Sequence, residues 1–154
     1  MKNKLFYKIL FIVLGVIILG TAIWYTVERK NDLPPLPSAI GEAFDSGNFD
    51  QAIALSNEIL TKDPKNVYAL VFLSQTYAQK GSLEFKEKEF GQKAIEYANQ
   101  AIAISPDNGK AYIALGYANE IMQQYDASIS AYNKAVSLEP DNADTYSHRG
   151  HAYD

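Results

Sequence analysis

The sequence predicts an all-α protein, with a single N-terminal transmembrane helix followed by a solenoid of antiparallel helix pairs. Two observations predict it. The back half of the 154-residue chain repeats with a period of 34 residues. Pro106-Asp107-Asn108 recurs as Pro140-Asp141-Asn142, Ala111-Tyr112 as Thr145-Tyr146, and Gly116 as Gly150. A period in this range marks stacked copies of one small unit, each covering its neighbour's apolar face. The front of the chain holds a second signal: residues 9–27 are 19 positions without a charge, twelve of them Ile, Leu, Val or Phe.

The elements follow in chain order. Residues 1–8 form a basic end with Lys2, Lys4 and Lys8. As a helix, residues 9–27 span roughly 28 Å at 1.5 Å per residue, close to a bilayer core of about 30 Å. Each branched or aromatic apolar residue there contributes about −0.3 to −0.6 kcal/mol to insertion. Phe6 and Tyr7 flank one end and Trp24 and Tyr25 the other, where amphipathic rings sit among headgroups. A cleaved signal peptide fits less well, because the run exceeds the usual 7–15 apolar residues and continues past Gly20-Thr21-Ala22. Three Lys precede the span, and Arg29 and Lys30 follow it. The bias places the N-terminus in the cytoplasm and the repeats outside it.

Residues 28–37 read as a Pro-rich linker, with Pro34, Pro35 and Pro37 favouring an extended spacer. The solenoid is then expected over 38–154. Its units are 33–66, 67–108, 109–142 and a partial unit 143–154. The second is 42 residues long, eight more than the period. Pro37 or Ser38 is expected to start a short first helix. Gly47, Gly81 and Gln123-Gln124 mark turns within units, and Asn66, Asn108 and Asn142 are candidate N-caps. The eight extra residues fall in 81–91. They read as two added turns at the start of that unit's second helix, with Ser82 as cap and with Glu84–Lys88 and Glu89–Lys93 as i,i+4 pairs.

The 109–142 copy carries Tyr112, Leu115 and Gly116, then Ser128, Tyr132, Ala135 and Pro140. This resembles the tetratricopeptide repeat. The small Gly116 and Ser128 let two helices approach, Tyr132 fills the space beside them, and Pro140 stops the second helix. Asn119 stands where the family prefers Tyr, and Ser128 where it prefers Ala. The frame extends to Leu70, Leu73, Ser74, Tyr77, Ala94, Ala98, Ala101 and Pro106, and to Ala39, Ile40, Ala43, Ala52, Ser56, Ile59 and Pro64.

The resemblance implies that the first helix of each unit lines a concave groove. By position this gives Tyr68, Val71, Gln75 and Gln79, then Lys110, Ile113, Tyr117 and Glu120, then His151 as a partner-binding surface. Phe85, in the extra residues, is a possible secondary contact. The carboxylate clamp of some family members is not expected, because Pro37, Gly41 and Phe72 stand at its positions and only Lys110 matches. The groove, mixed aromatic and amide, suits an extended or helical peptide.

Charge and composition exclude other functions. Residues 31–154 carry 9 Lys or Arg against 17 Asp or Glu, a net of −8, which repels phosphate backbones and argues against nucleic acid. Cysteine is absent, so no disulfide or thiolate metal site forms. His148 and His151 are i,i+3 neighbours without a clear third ligand, so no metal is expected. No nucleophile triad, phosphate loop or zinc-helix motif occurs, and neither a cofactor nor an enzyme activity is expected. Two functional expectations remain. The first is a membrane-anchored interaction module, a scaffold or assembly factor that binds an unidentified protein or peptide; the resemblance implies a bacterial cell-envelope location. The alternative is an N-terminal piece of a larger protein whose activity lies downstream, since the chain ends inside the first helix of a unit.

Overall fold

The computed structural model describes residues 36–152. The predicted membrane span, 9–27, the basic end and most of the linker lie outside the described residues. Among the described residues no helix is long and apolar enough to cross a membrane.

Among these residues seven α-helices follow in order: α1 (Leu36–Asp45), α2 (Phe49–Lys62), α3 (Val67–Glu84), α4 (Glu87–Ile104), α5 (Gly109–Ile121), α6 (Tyr125–Leu138) and α7 (Ala143–His151). They pair as α1/α2, α3/α4 and α5/α6, each pair joined by a tight turn, with α7 packed on α5 and α6. The helix starts follow local chemistry. The Asn66 side chain accepts from the Ala69 amide at 3.1 Å and Asn108 from the Ala111 amide at 3.1 Å, each satisfying a donor that the first turn leaves open. Asn48 plays the same part for α2, accepting from Gln51 N at 3.4 Å. The turns at Gly47 and Gln123 need left-handed backbone, with φ of 75° and 57°.

Alanine makes the stacking possible. Ala52, Ala69, Ala94, Ala98, Ala101, Ala111, Ala114 and Ala135 are all fully buried. A methyl group is small enough for two backbones to come together, and the larger side chains then fill the spaces between units. Leu70, Val71 and Ala98 form one such layer with Ala111 and Ala114 of the next unit. Tyr132, Ile113 and Ala152 form another, between the third unit and α7. Asn119, where a Tyr was preferred, is buried and uses its amide to donate to the Leu115 carbonyl at 2.9 Å.

Several local expectations are corrected. Helix α1 begins at Leu36, within the stretch read as linker, because Pro is tolerated in a first turn where no intrahelical donor is needed. The eight extra residues do not sit at the start of one helix. Helices α3 and α4 are each 18 residues long, against 13 and 14 in α5 and α6, so the insertion lengthens both. Gly81 is therefore inside α3 rather than in a turn, and a Cβ there would stand 3.2 Å from Phe90 Cβ; the glycine lets α4 close on α3. Gly91 is likewise helical, and the room beside it is filled by the Met122 thioether. Ser82 is no cap: the cap position of α4 is Lys86, without a side-chain bond. Of the two expected pairs, Glu89–Lys93 forms at 3.8 Å, whereas Glu84 turns instead to Lys80 and Lys86 at 3.4 and 3.3 Å.

The lengthened hairpin has its own core. Phe90 is buried beneath the ammonium groups of Lys80, Lys86 and Lys93, each 5.4–5.7 Å from the ring centre. Tyr77 and Tyr97 stack at 5.7 Å. Lys80 bridges to Asp50 of α2; that hydrogen bond, ahead of the opposing burial, holds its ammonium above the ordinary lysine range.

Candidate functional site

The first helices of the last three units, α3, α5 and α7, lie side by side, and a cleft of about 740 Å³ runs along them. Five of the groove residues expected from the sequence line it: Tyr68, Val71, Gln75, Lys110 and Ile113. They divide by burial. Val71 and Ile113 are 5% and 8% exposed and form an apolar floor. Gln75 is half-buried, while Tyr68 and Lys110 are exposed.

Tyr68 is held in the cleft by two contacts. Its hydroxyl donates to the Pro37 carbonyl at 2.7 Å, tying α3 to the start of α1. Its ring lies 4.6 Å from that of Phe72, which meets Phe44 edge-on at 6.1 Å. Burial pushes the Tyr68 hydroxyl above its usual value. The result is an aromatic shelf fixed at both ends, with little side-chain freedom left to lose when a ligand arrives.

The other four expected residues lie elsewhere. Gln79 and Tyr117 face each other across α3 and α5, the Tyr117 hydroxyl donating to Gln79 Oε1. Tyr117 also packs against the Ala78, Ala94 and Ala118 cluster, so it holds two units together, and its hydroxyl is raised by burial and then by Glu120. Glu120 accepts from the Tyr132 hydroxyl at 3.0 Å. Burial first, then this carboxylate, pushes the Tyr132 hydroxyl far above the ordinary tyrosine value. Glu120 and His151 line a separate cleft of about 630 Å³ with Ser82, Glu87 and Tyr125. Phe85 lies in neither of these clefts. It caps α3 at the hairpin tip with a left-handed φ of 54° and is 87% exposed.

Sequence reasoning missed several residues of the main cleft: Val67, Ser105, Asp107, Asn108, Glu139, Asn142 and His148. Most of these belong to the turns between units, which pass along the cleft edge. The recurring Pro-Asp-Asn triplets were their signal. His148 lines the cleft and also stacks on Tyr132 at 5.9 Å with an interplanar angle of 14°. Among the described residues no cluster of His, Asp and Glu could hold a metal ion.

The arrangement offers shape, apolar area, amide groups and charges of both signs. Comparison with family models matches residues 43–84 to a tetratricopeptide repeat and residues 121–153 to a TPR repeat. Comparison with curated proteins finds no match. Among solved structures, the first TPR of Spaghetti (RPAP3) bound to the HSP90 peptide SRMEEVD is 21% identical with a TM-score of 0.66, over 77% of this chain and 89% of that one. The second TPR domain of human RPAP3, in complex with the HSP70 peptide SGPTIEEVD, is 17% identical with a TM-score of 0.64, over 77% and 92%. The MamA crystal structure is 31% identical with a TM-score of 0.58, over 73% of this chain and 61% of that one. At the identities of the first two, the likeness is one of fold. The chain carries tetratricopeptide repeats, and its described helices form a tetratricopeptide-repeat solenoid.

Proposed function

We propose that this protein is a membrane-anchored interaction module, which holds a segment of a partner protein in the cleft along α3, α5 and α7, outside the cytoplasm, as a scaffold or assembly factor. The observation that carries the reading is the cleft itself: an apolar floor of Val71 and Ile113, an immobilised aromatic shelf at Tyr68 and Phe72, and polar groups at Gln75 and Lys110. Support comes from solved TPR domains of the same fold that carry peptides. The anchor rests on the uncharged residues 9–27 and the orientation on Lys2, Lys4 and Lys8. The module works by binding, with no catalytic step.

The test uses the full chain isolated from membranes after chemical crosslinking, wild type against a Gln75→Ala, Lys110→Ala variant. Both side chains line the cleft and neither belongs to the buried core. The expected result is a defined crosslinked partner lost from the variant while its helical signal is unchanged. The same crosslinked species from both proteins overturns the reading. Tyr117 is unsuited to this test, because its removal opens the packing between α3 and α5.

A further inference from the structure

We propose that the cleft is selective for a segment combining large apolar side chains with Lys or Arg, and that it turns away acidic peptides; this rests on the cleft being the binding site. Three observations carry the chemistry. The wall formed by Tyr68, Phe72, Val71 and Ile113 is apolar and aromatic, so it rewards an aliphatic or aromatic side chain. Asp107 and Glu139 bring two carboxylates to the same cleft, against one lysine, Lys110, and the imidazole of His148. Asp107 is exposed, and Glu139 accepts from the Asn142 amide at 2.9 Å, which fixes it at the edge.

The third observation is the net charge of the chain that carries the cleft. Residues 31–154 carry a net −8. At ordinary ionic strength the field decays over about 8–10 Å, so it speeds the arrival of a cationic segment and slows that of an anionic one. The Tyr68 ring, 40% exposed and lining the same cleft, adds a face on which an arginine or lysine can lie. The occupant is therefore a basic, apolar stretch of a partner protein. The bound peptides of the two RPAP3 structures, SRMEEVD and SGPTIEEVD, instead carry paired glutamates and an aspartate.

The experiment measures peptide binding to the full chain in zwitterionic nanodiscs by fluorescence anisotropy. The labelled probes are GFLKFKLRG, its acidic counterpart GFLEFELEG, its polar counterpart GSSKSKSRG, and SRMEEVD. The expected result is that GFLKFKLRG binds at least about tenfold more tightly than each of the others. The Asp107→Asn, Glu139→Gln variant, with unchanged helical signal, should weaken it about fivefold. Equal or tighter binding of GFLEFELEG or SRMEEVD overturns the inference and leaves the cleft as a peptide site. Equal binding of GSSKSKSRG removes the apolar requirement and overturns it as well. Unaltered binding to the variant, or no binding of GFLKFKLRG, also overturns it; the membrane crosslinking result then decides separately whether the cleft binds a partner.

Discussion

Gly116 of α5 and Tyr132 of α6 are two halves of one fit. A Cβ on Gly116 would stand 2.5 Å from Tyr132 Cε1, and the ring has nowhere to move because Tyr132 is fully buried. The 34-residue period puts Gly150 at the same place in the next unit, yet a Cβ there would meet nothing within 4 Å. One repeat position thus carries two different physical demands.

Substitution at the pair separates them. Gly116→Ala gains about 1 kcal/mol of helix propensity but overpacks the Tyr132 site at a cost of about 1–3 kcal/mol, so thermal unfolding should show net destabilisation. Gly150→Ala meets open space and should leave the melting temperature unchanged or raise it. Equal effects from the two would mean that the Tyr132 ring does not set the spacing of α5 and α6.

Alkaline pH should unfold the solenoid through its tyrosines. The hydroxyls of Tyr68, Tyr97, Tyr117 and Tyr132 are all raised, chiefly by burial. The folded state then holds its protons more tightly than the unfolded chain, whose tyrosines ionise near 10. Stability should be undiminished below about pH 10 and fall as pH rises above it. Tyr132→Phe should cost about 1 kcal/mol at neutral pH, through the lost bond to Glu120, and make the alkaline decline shallower. A decline unchanged in slope would show that Tyr132 does not govern it.

Phe85→Gly should stabilise the protein by about 1 kcal/mol. Phe85 occupies a left-handed position with its ring 87% exposed, and glycine takes that conformation without penalty. Chemical denaturation measures the change. A loss of stability would reveal packing of the ring that the fold does not account for.

The full chain should remain with membranes under alkaline carbonate, while a protein made from residue 31 onwards should be released. The motive is the uncharged run 9–27 followed by a net −8 domain. Release of the full chain would remove the anchor from the account.

The periodic part of the fold was readable because prolines, asparagines and alanines each have one physical job. Pro106 and Pro140 end helices, Asn66 and Asn108 start them, and Ala94, Ala98 and Ala101 let them touch. The insertion was misplaced because residues 81–91 are acceptable in a helix of either direction. Their division between α3 and α4 is decided by tertiary contacts, above all the closeness of Phe90 to Gly81. The cleft was partly legible. The family resemblance implied Tyr68, Val71, Gln75, Lys110 and Ile113, which line it, but it says nothing of Asp107 and Glu139, which reach the cleft from the turns and helix ends between units. It also assigned Tyr117 to the groove, whereas the Gln79 bond and the alanine cluster draw that side chain into the packing between units.

The central claim, that the cleft along α3, α5 and α7 is where a partner is held, is tested most directly by site-specific photocrosslinking of the full chain in its own membranes. A benzoylphenylalanine replaces Gln75, which lines the cleft, or Asn99, exposed on α4 and outside it. A discrete crosslinked adduct is expected from position 75 and none from position 99. Adducts of equal yield from both positions, or from position 99 alone, would contradict it.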